Sequence, residues 1–155
     1  RELNLKLSAK GQYAVLALAD LYRHSQSVAE PQAVALSEIS KRQSISLNYL
    51  EQLFSKLRKS GIVTSTRGHA GGYTLSKNAS EIKVLEIIQA VDESIRTTRC
   101  SSDTQMSCQG KSERCLTHHL WDNLGIHIES YLTSVSLQNL VDSNLPQIME
   151  ASNAA

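Results

Sequence analysis

Apolar side chains recur along this chain with a helical period in most places and with a strand-like pattern in one. Tyr13, Ala14, Leu16, Ala17 and Leu21 fall at helical spacing behind Ser8, a suitable N-cap, and predict a first helix. A looser stretch from Ser25 to Val34, interrupted by Pro31, separates it from a short second helix over Leu36–Arg42. After a break at Gln43 and Ser44, Ile45–Gly61 predicts a third helix. Ser46 is its cap, Leu50, Leu53, Phe54 and Leu57 are its apolar face, and Gly61 is its stop. The run Ile62–Thr66, the glycine-rich Arg67–Gly72 and the run Tyr73–Leu75 then read as strand, turn and strand.

Beyond Asn78, Val84, Leu85, Ile87, Ile88 and Val91 mark a short helix ending at Asp92 and Glu93. Between Thr97 and Arg114 no apolar period survives, which predicts a loop. Leu116, Leu120, Leu124, Ile128, Tyr131, Leu132 and Val135 then step by threes and fours along one long amphipathic helix. Its apolar face exceeds what a small domain can cover, so pairing with a symmetry mate in a two-fold homodimer is expected.

Two helices with a tight turn, then a hairpin with a basic tip, is the element order of a winged helix-turn-helix. The expected fold is therefore mainly α with a small β-hairpin wing and a long C-terminal dimerisation helix. It divides into a DNA-binding domain (1–77), a connecting helix (78–96), a cysteine-bearing loop (97–115), a dimerisation helix region (116–142) and a tail (143–155).

The net charge of +1 conceals an asymmetry that sharpens this picture. Residues 1–77 hold 11 Lys/Arg against 5 Asp/Glu, a balance of +6, whereas residues 78–155 hold 5 against 10, a balance of −5. A polyanion would choose the first half. The third helix turns toward such a partner a face carrying Ser46, Asn48, Tyr49, Glu51, Gln52, Lys56 and Lys59. Asn and Gln can read adenine, and Glu can accept from cytosine N4. Lys56, and Arg67 at the wing tip, supply affinity at phosphates or in the minor groove, and Lys6 and Ser8 stand where the first helix could add a phosphate contact. The expected partner is double-stranded DNA at a pseudo-palindromic operator. No apolar run approaches the roughly 20 residues of a membrane span, and no charged-then-apolar leader is seen, so no membrane association and a cytoplasmic address are expected.

Three cysteines crowd between positions 100 and 115, an odd number that argues against a disulfide framework. Cys100 is followed after seven residues by Cys108, after six more by Cys115, and after two more by His118. Three thiolates and an imidazole make four soft ligands, and the i, i+3 pair at the start of the long helix puts Cys115 and His118 on one face. A structural zinc, unligated thiols and a redox pair are the competing readings. Zinc sites usually include a tight Cys-x₂₋₄-Cys knuckle, which this chain lacks, and that leans toward an iron-sulfur cluster. His119, at i+4 from Cys115, could also ligate, whereas His24, His69 and His127 have no ligand partners in the pattern. Nothing supplies a nucleophile with a base and an oxyanion site, so neither an enzyme nor a small-molecule substrate is expected.

Four segments together resemble one family: Lys6-Leu-Ser-Ala-Lys-Gly-Gln-Tyr-Ala-Val15, Ile45-Ser-Leu-Asn-Tyr-Leu-Glu-Gln-Leu-Phe54, Arg67-Gly-His-Ala-Gly-Gly-Tyr73 and Cys115-Leu-Thr-His-His-Leu-Trp121. The chain is similar to the IscR iron-sulfur cluster regulators from about Lys6 to Val141, including the stretch Ala90-Val-Asp-Glu93. The resemblance implies a homodimeric bacterial regulator of cluster-assembly genes, with a [2Fe-2S] cluster on Cys100, Cys108, Cys115 and His118. It also implies DNA contacts from Ser46, Asn48, Tyr49, Glu51, Gln52 and Arg67. The inter-cysteine gaps are longer than is usual for that family, and the first is closer to iron- or nitric-oxide-sensing relatives that often hold [4Fe-4S]; the retained histidine favours the two-iron form. Extra residues around Val28–Ala33 lengthen the linker before the second helix.

Overall fold

The computed structural model describes residues 9–26, 31–91 and 116–147. Helix α1 (Ala9–Ser25) lies at the centre, where Ala14, Ala17, Leu18 and Leu21 are fully buried. Tyr13 and Leu16, expected on its apolar face, are instead 41% exposed each. The small residues at 14 and 17 let α1 approach its neighbours closely, and its bulkier flanking side chains are left at the rim. Its predicted cap, Ser8, lies outside the described residues.

Helix α2 (Leu36–Gln43) buries Leu36 and Ile39 and ends at Ser44 in the left-handed region (φ 55°). That single residue reverses the chain into helix α3 (Leu47–Lys59), which begins two residues later than its apolar pattern suggests. Ser46 caps α3 as expected, its Oγ accepting from the Tyr49 N–H at 3.3 Å, and Ser40 Oγ donates to the Ile45 carbonyl at 2.6 Å to fix the turn. Leu50, Leu53, Phe54 and Leu57 form its buried stripe. Burial of side chains this size contributes about 1.5–3 kcal/mol each, so α3 is held chiefly by its inner face and its outer face is free for other work.

Strands β1 (Val63–Thr66) and β2 (Gly72–Leu75) pair antiparallel, with Val63 opposite Leu75 and Thr66 opposite Gly72. A third segment joins them. Val34 and Tyr73 exchange both backbone hydrogen bonds at 2.9 Å, which ties the linker before α2 to the wing. Tyr73 also meets Phe54 edge-on, ring centroids 4.9 Å apart, so the wing is anchored to α3 as well.

Helix α4 (Val84–Ala90) packs on α1, and helix α5 (His118–Ser134) follows the long C-terminal pattern closely. Val135 of the helix end joins Val84 and Ile88 in a second small core, with Tyr131 and Leu132 alongside. The chain then bends at Ser136 into helix α6 (Leu137–Val141), which the hydrophobic pattern did not announce. Ser136 and Asn139 form a reciprocal capping box there, and Leu137 is fully buried in the main core, carrying the chain back against α1. Among the described residues no helix is long and apolar enough to cross a membrane.

Candidate nucleic-acid interface and metal centre

The α2–turn–α3 unit leaves the outer face of α3 open. Ser46, Asn48, Glu51 and Gln52 are exposed in its first turns, and Tyr49 and Lys56 are half-buried. This gathers the sequence-predicted base-reading groups at the helix N-terminus, the end that enters a major groove. Arg67 is exposed at the wing tip, beyond Thr66 and beside Gly68, whose φ of +116° suits the glycine found there. Arg58 Nη1 donates to Ser65 Oγ at 3.4 Å and bridges α3 to the wing, so helix and hairpin present their polar groups as one surface. Lys6 and Ser8 lie outside the described residues.

Two further residues, not singled out by the sequence pattern, border this face. Leu47 is 42% exposed on the first turn of α3, an apolar group among polar ones, suited to a thymine methyl. Its offset from the buried stripe was the available signal. Tyr13 stands edge-on to Tyr49, ring centroids 5.8 Å apart and planes at 87°, and so braces the recognition helix from α1.

Behind this surface, Asp20 is buried on α1 with its side chain 2% exposed. Arg42 clamps it bidentately, Nε to both carboxylate oxygens at 3.1–3.2 Å and Nη2 to one at 2.7 Å, while Gln43 Nε2 donates at 2.7 Å. Burial pushes this carboxyl up. The hydrogen bonds from Arg42 and Gln43, with the charges of Arg42 and His24, outweigh burial and hold it below the ordinary carboxylate range. The clamp joins α1 to the C-terminal end of α2, immediately before the turn that aims α3.

The second constellation is described only in part. Cys100, Cys108 and Cys115 lie outside the described residues. His118 occupies the first turn of α5 and is 7% exposed, and its Nδ1 is buried with no hydrogen-bond partner among the described residues. Leaving such a nitrogen unsatisfied costs about 1–3 kcal/mol, and a metal at its lone pair removes that cost. An imidazole nitrogen held in a buried position, three residues after Cys115, has the donor chemistry that an iron-sulfur cluster or zinc requires. His119, its neighbour, is exposed and lies edge-on at 5.6 Å between ring centroids.

A helix-turn-helix backed by a helical core and followed by a hairpin defines a winged-helix DNA-binding protein. The Rrf2 family profile, described as "Iron-dependent Transcriptional regulator", matches residues 7–143. The chain is 52% identical over 139 residues to the HTH-type transcriptional regulator IscR of Photorhabdus laumondii subsp. laumondii, covering 90% of this chain and 80% of that protein. Among solved structures it is similar to IscR of T. potens, with a TM-score of 0.70 and 32% identity over 94% of this chain and 96% of the other. It is likewise similar to CymR, the global cysteine regulator of B. subtilis, with a TM-score of 0.72 and 28% identity over 90% and 98% of the two chains. The chain belongs to the Rrf2 family of transcriptional regulators. It is accordingly a DNA-binding regulator and not an enzyme.

Proposed function

We propose that this regulator senses iron-sulfur cluster status through a [2Fe-2S] cluster held by Cys100, Cys108, Cys115 and His118, and that it controls cluster-assembly genes from the cytoplasm. The observation that carries the reading is the buried Nδ1 of His118, without a hydrogen-bond partner among the described residues, on the first turn of α5 and three positions after a cysteine. When bound, the cluster supplies an oxidation- and iron-dependent state that ligand loss can erase. The chain's own part is to bring the loop cysteines and His118 together and to communicate their arrangement to α3 and the wing.

Two features support a homodimer on a pseudo-palindromic operator. Leu116, just before α5, and Leu120 on it are exposed, and among the described residues it is the C-terminal end of the apolar stripe that packs against Val84 and Ile88 of α4. Each subunit then offers one recognition helix to one half-site. Ser46, Asn48, Tyr49, Glu51 and Gln52 read bases, while Lys6, Ser8, Lys56 and Arg67 hold the backbone or minor groove. Coupling between cluster and DNA is about 1–3 kcal/mol, the usual range between linked sites, so occupancy at sensitive operators shifts several-fold or more.

Anaerobic purification with iron, sulfide and zinc analysis and a visible spectrum, followed by duplex binding, tests the reading. Stoichiometric iron and sulfide with a [2Fe-2S] spectrum are expected, and Cys100→Ala should spare some operators and lose others. Zinc without sulfide, a four-iron spectrum, or equal affinity of variant and wild type for every operator would overturn it.

A further inference from the structure

We infer that Leu47 is a specificity-determining residue of this regulator: its side chain packs on the C5-methyl of a thymine in the major groove, beside the base pair that Glu51 reads. The inference rests on the base-reading role proposed for α3 and adds the apolar part of that reading. Leu47 is the first residue of α3 and is 42% exposed between Ser46 and Asn48, both exposed themselves. Among the described residues it belongs to neither hydrophobic core. The helix start does not depend on it. Ser46 supplies the cap, and the two apolar positions that commonly staple a helix entry, here Ile45 and Leu50, are both buried.

Helical geometry says where this leucine faces. Position 51 follows it by four residues and position 58 by eleven, about three full turns, so Leu47, Glu51 and Arg58 share one edge of α3. Arg58 reaches Ser65 of β1 from that edge, which makes it the edge nearest the wing. Tyr49, on the opposite edge, turns to Tyr13 of α1. At the end that enters the groove, the wing-side edge therefore sets a carboxylate, which can accept from cytosine N4, beside an isobutyl group that makes no hydrogen bond. The apolar group that the major groove offers to such a side chain is the thymine methyl. Contact between the two removes both surfaces from water, whereas uracil, which pairs identically, presents only a hydrogen there.

The full chain is used to select duplexes from a random library, and each thymine of the recovered sequence is then replaced singly by deoxyuridine, with affinity read by fluorescence anisotropy at fixed salt. At one thymine per half-site the replacement should weaken the wild type about 3- to 10-fold, the worth of a buried methyl contact. Leu47→Ala should bind the thymine and uracil duplexes equally, each about as weakly as the wild type binds uracil. A repeated selection with this variant should lose the thymine preference at that position alone. Leu47→Met, which keeps an apolar chain of similar volume, should restore most of the discrimination. A uracil penalty that is the same in wild type and Leu47→Ala at every thymine, or no penalty anywhere, overturns the inference and leaves base reading by α3 intact. Equal weakening of Leu47→Ala on selected and unrelated duplexes also overturns it, by showing that Leu47 supports the helix and not a base contact. A selection that recovers no sequence preference overturns both readings.

Discussion

Asp20 shows how much one buried carboxylate can govern. It sits on a face of α1 that otherwise buries alanine and leucine, and such a position is tolerated only with partners, here Arg42 and Gln43 at 2.7 Å. Asp20→Asn should destabilise the domain by about 2 kcal/mol, measured by urea unfolding, because it strips the charge from a bidentate pair. The pH profile is a second test. A carboxyl whose pKa is lowered by folding stabilises the native state above its unfolded pKa of about 3.9, and this contribution is lost as pH falls through the folded value. The wild type should therefore lose more stability than Asp20→Asn as pH drops from 6 into the acid range (about 5 to 2). At the DNA-facing end, Glu51 is an exposed carboxylate among groups suited to a polyanion. It must gain something from a base to belong there, and Glu51→Ala should relax preference at one operator position by about 1–3 kcal/mol while binding to unrelated duplex rises. A binding-site selection with unchanged preference would remove that role. Asn48, Glu51 and Gln52 were legible in the sequence because they interrupt no apolar stripe. The clamp on Asp20 was not, because its partner lies 22 positions away in a different helix.

At the scale of elements, the hydrophobic periods located the long helices, and two short runs around a glycine-rich turn located the wing, although Leu120 and Ile126 of α5 stay exposed. What they missed depends on close approach or on capping. Helix α6 is too short for a period and is held by its Ser136–Asn139 box and by Leu137, so its only signal was a serine followed three residues later by a side chain able to reach back. The linker read as loose supplies Val34 to the wing as an added bridge, a pairing that no local pattern specifies. Gly72 makes that pairing possible, since a Cβ there would stand 2.5 Å from both the carbonyl carbon and the oxygen of Val34. Gly72→Ala should therefore push the linker off β2 and cost about 1–3 kcal/mol, as overpacking does. Amide exchange should accelerate at Val34 and Tyr73 while Leu50 and Leu57 in the main core stay protected. Retained protection at Val34 would mean that the linker yields at no cost. Because Arg67 is carried on the same hairpin, this variant should also weaken duplex binding more at low salt than at high salt, where phosphate and groove contacts are already screened.

The whole molecule separates its tasks along the chain: a basic half with a helix and wing facing outward, and an acidic half that carries the cysteines and the long helix. Within the acidic half Val84, Ile88 and Val135 pack together and the Val84 N–H donates to the Val135 carbonyl at 2.9 Å, and α4 packs in turn on α1 of the basic half, so a shift of α5 has a direct path through α4 to α1. The N-terminal half of α5 is different. Leu120 is 61% exposed there, and a leucine this open contributes little to the fold of its own subunit. If α5 is the pairing surface, a charge at position 120 must be buried without a partner in the dimer, while in the monomer it remains in water. Leu120→Glu should therefore leave the unfolding midpoint of the monomeric domain nearly unchanged, yet shift sedimentation from dimer to monomer at micromolar concentration. Affinity for a two-half-site duplex should fall on the order of 100-fold, because two linked recognition helices become two independent ones, while affinity for a single half-site changes little. An undiminished dimer with intact operator binding would move the subunit contact away from α5, and with it the route by which the cysteine-bearing loop reaches the DNA.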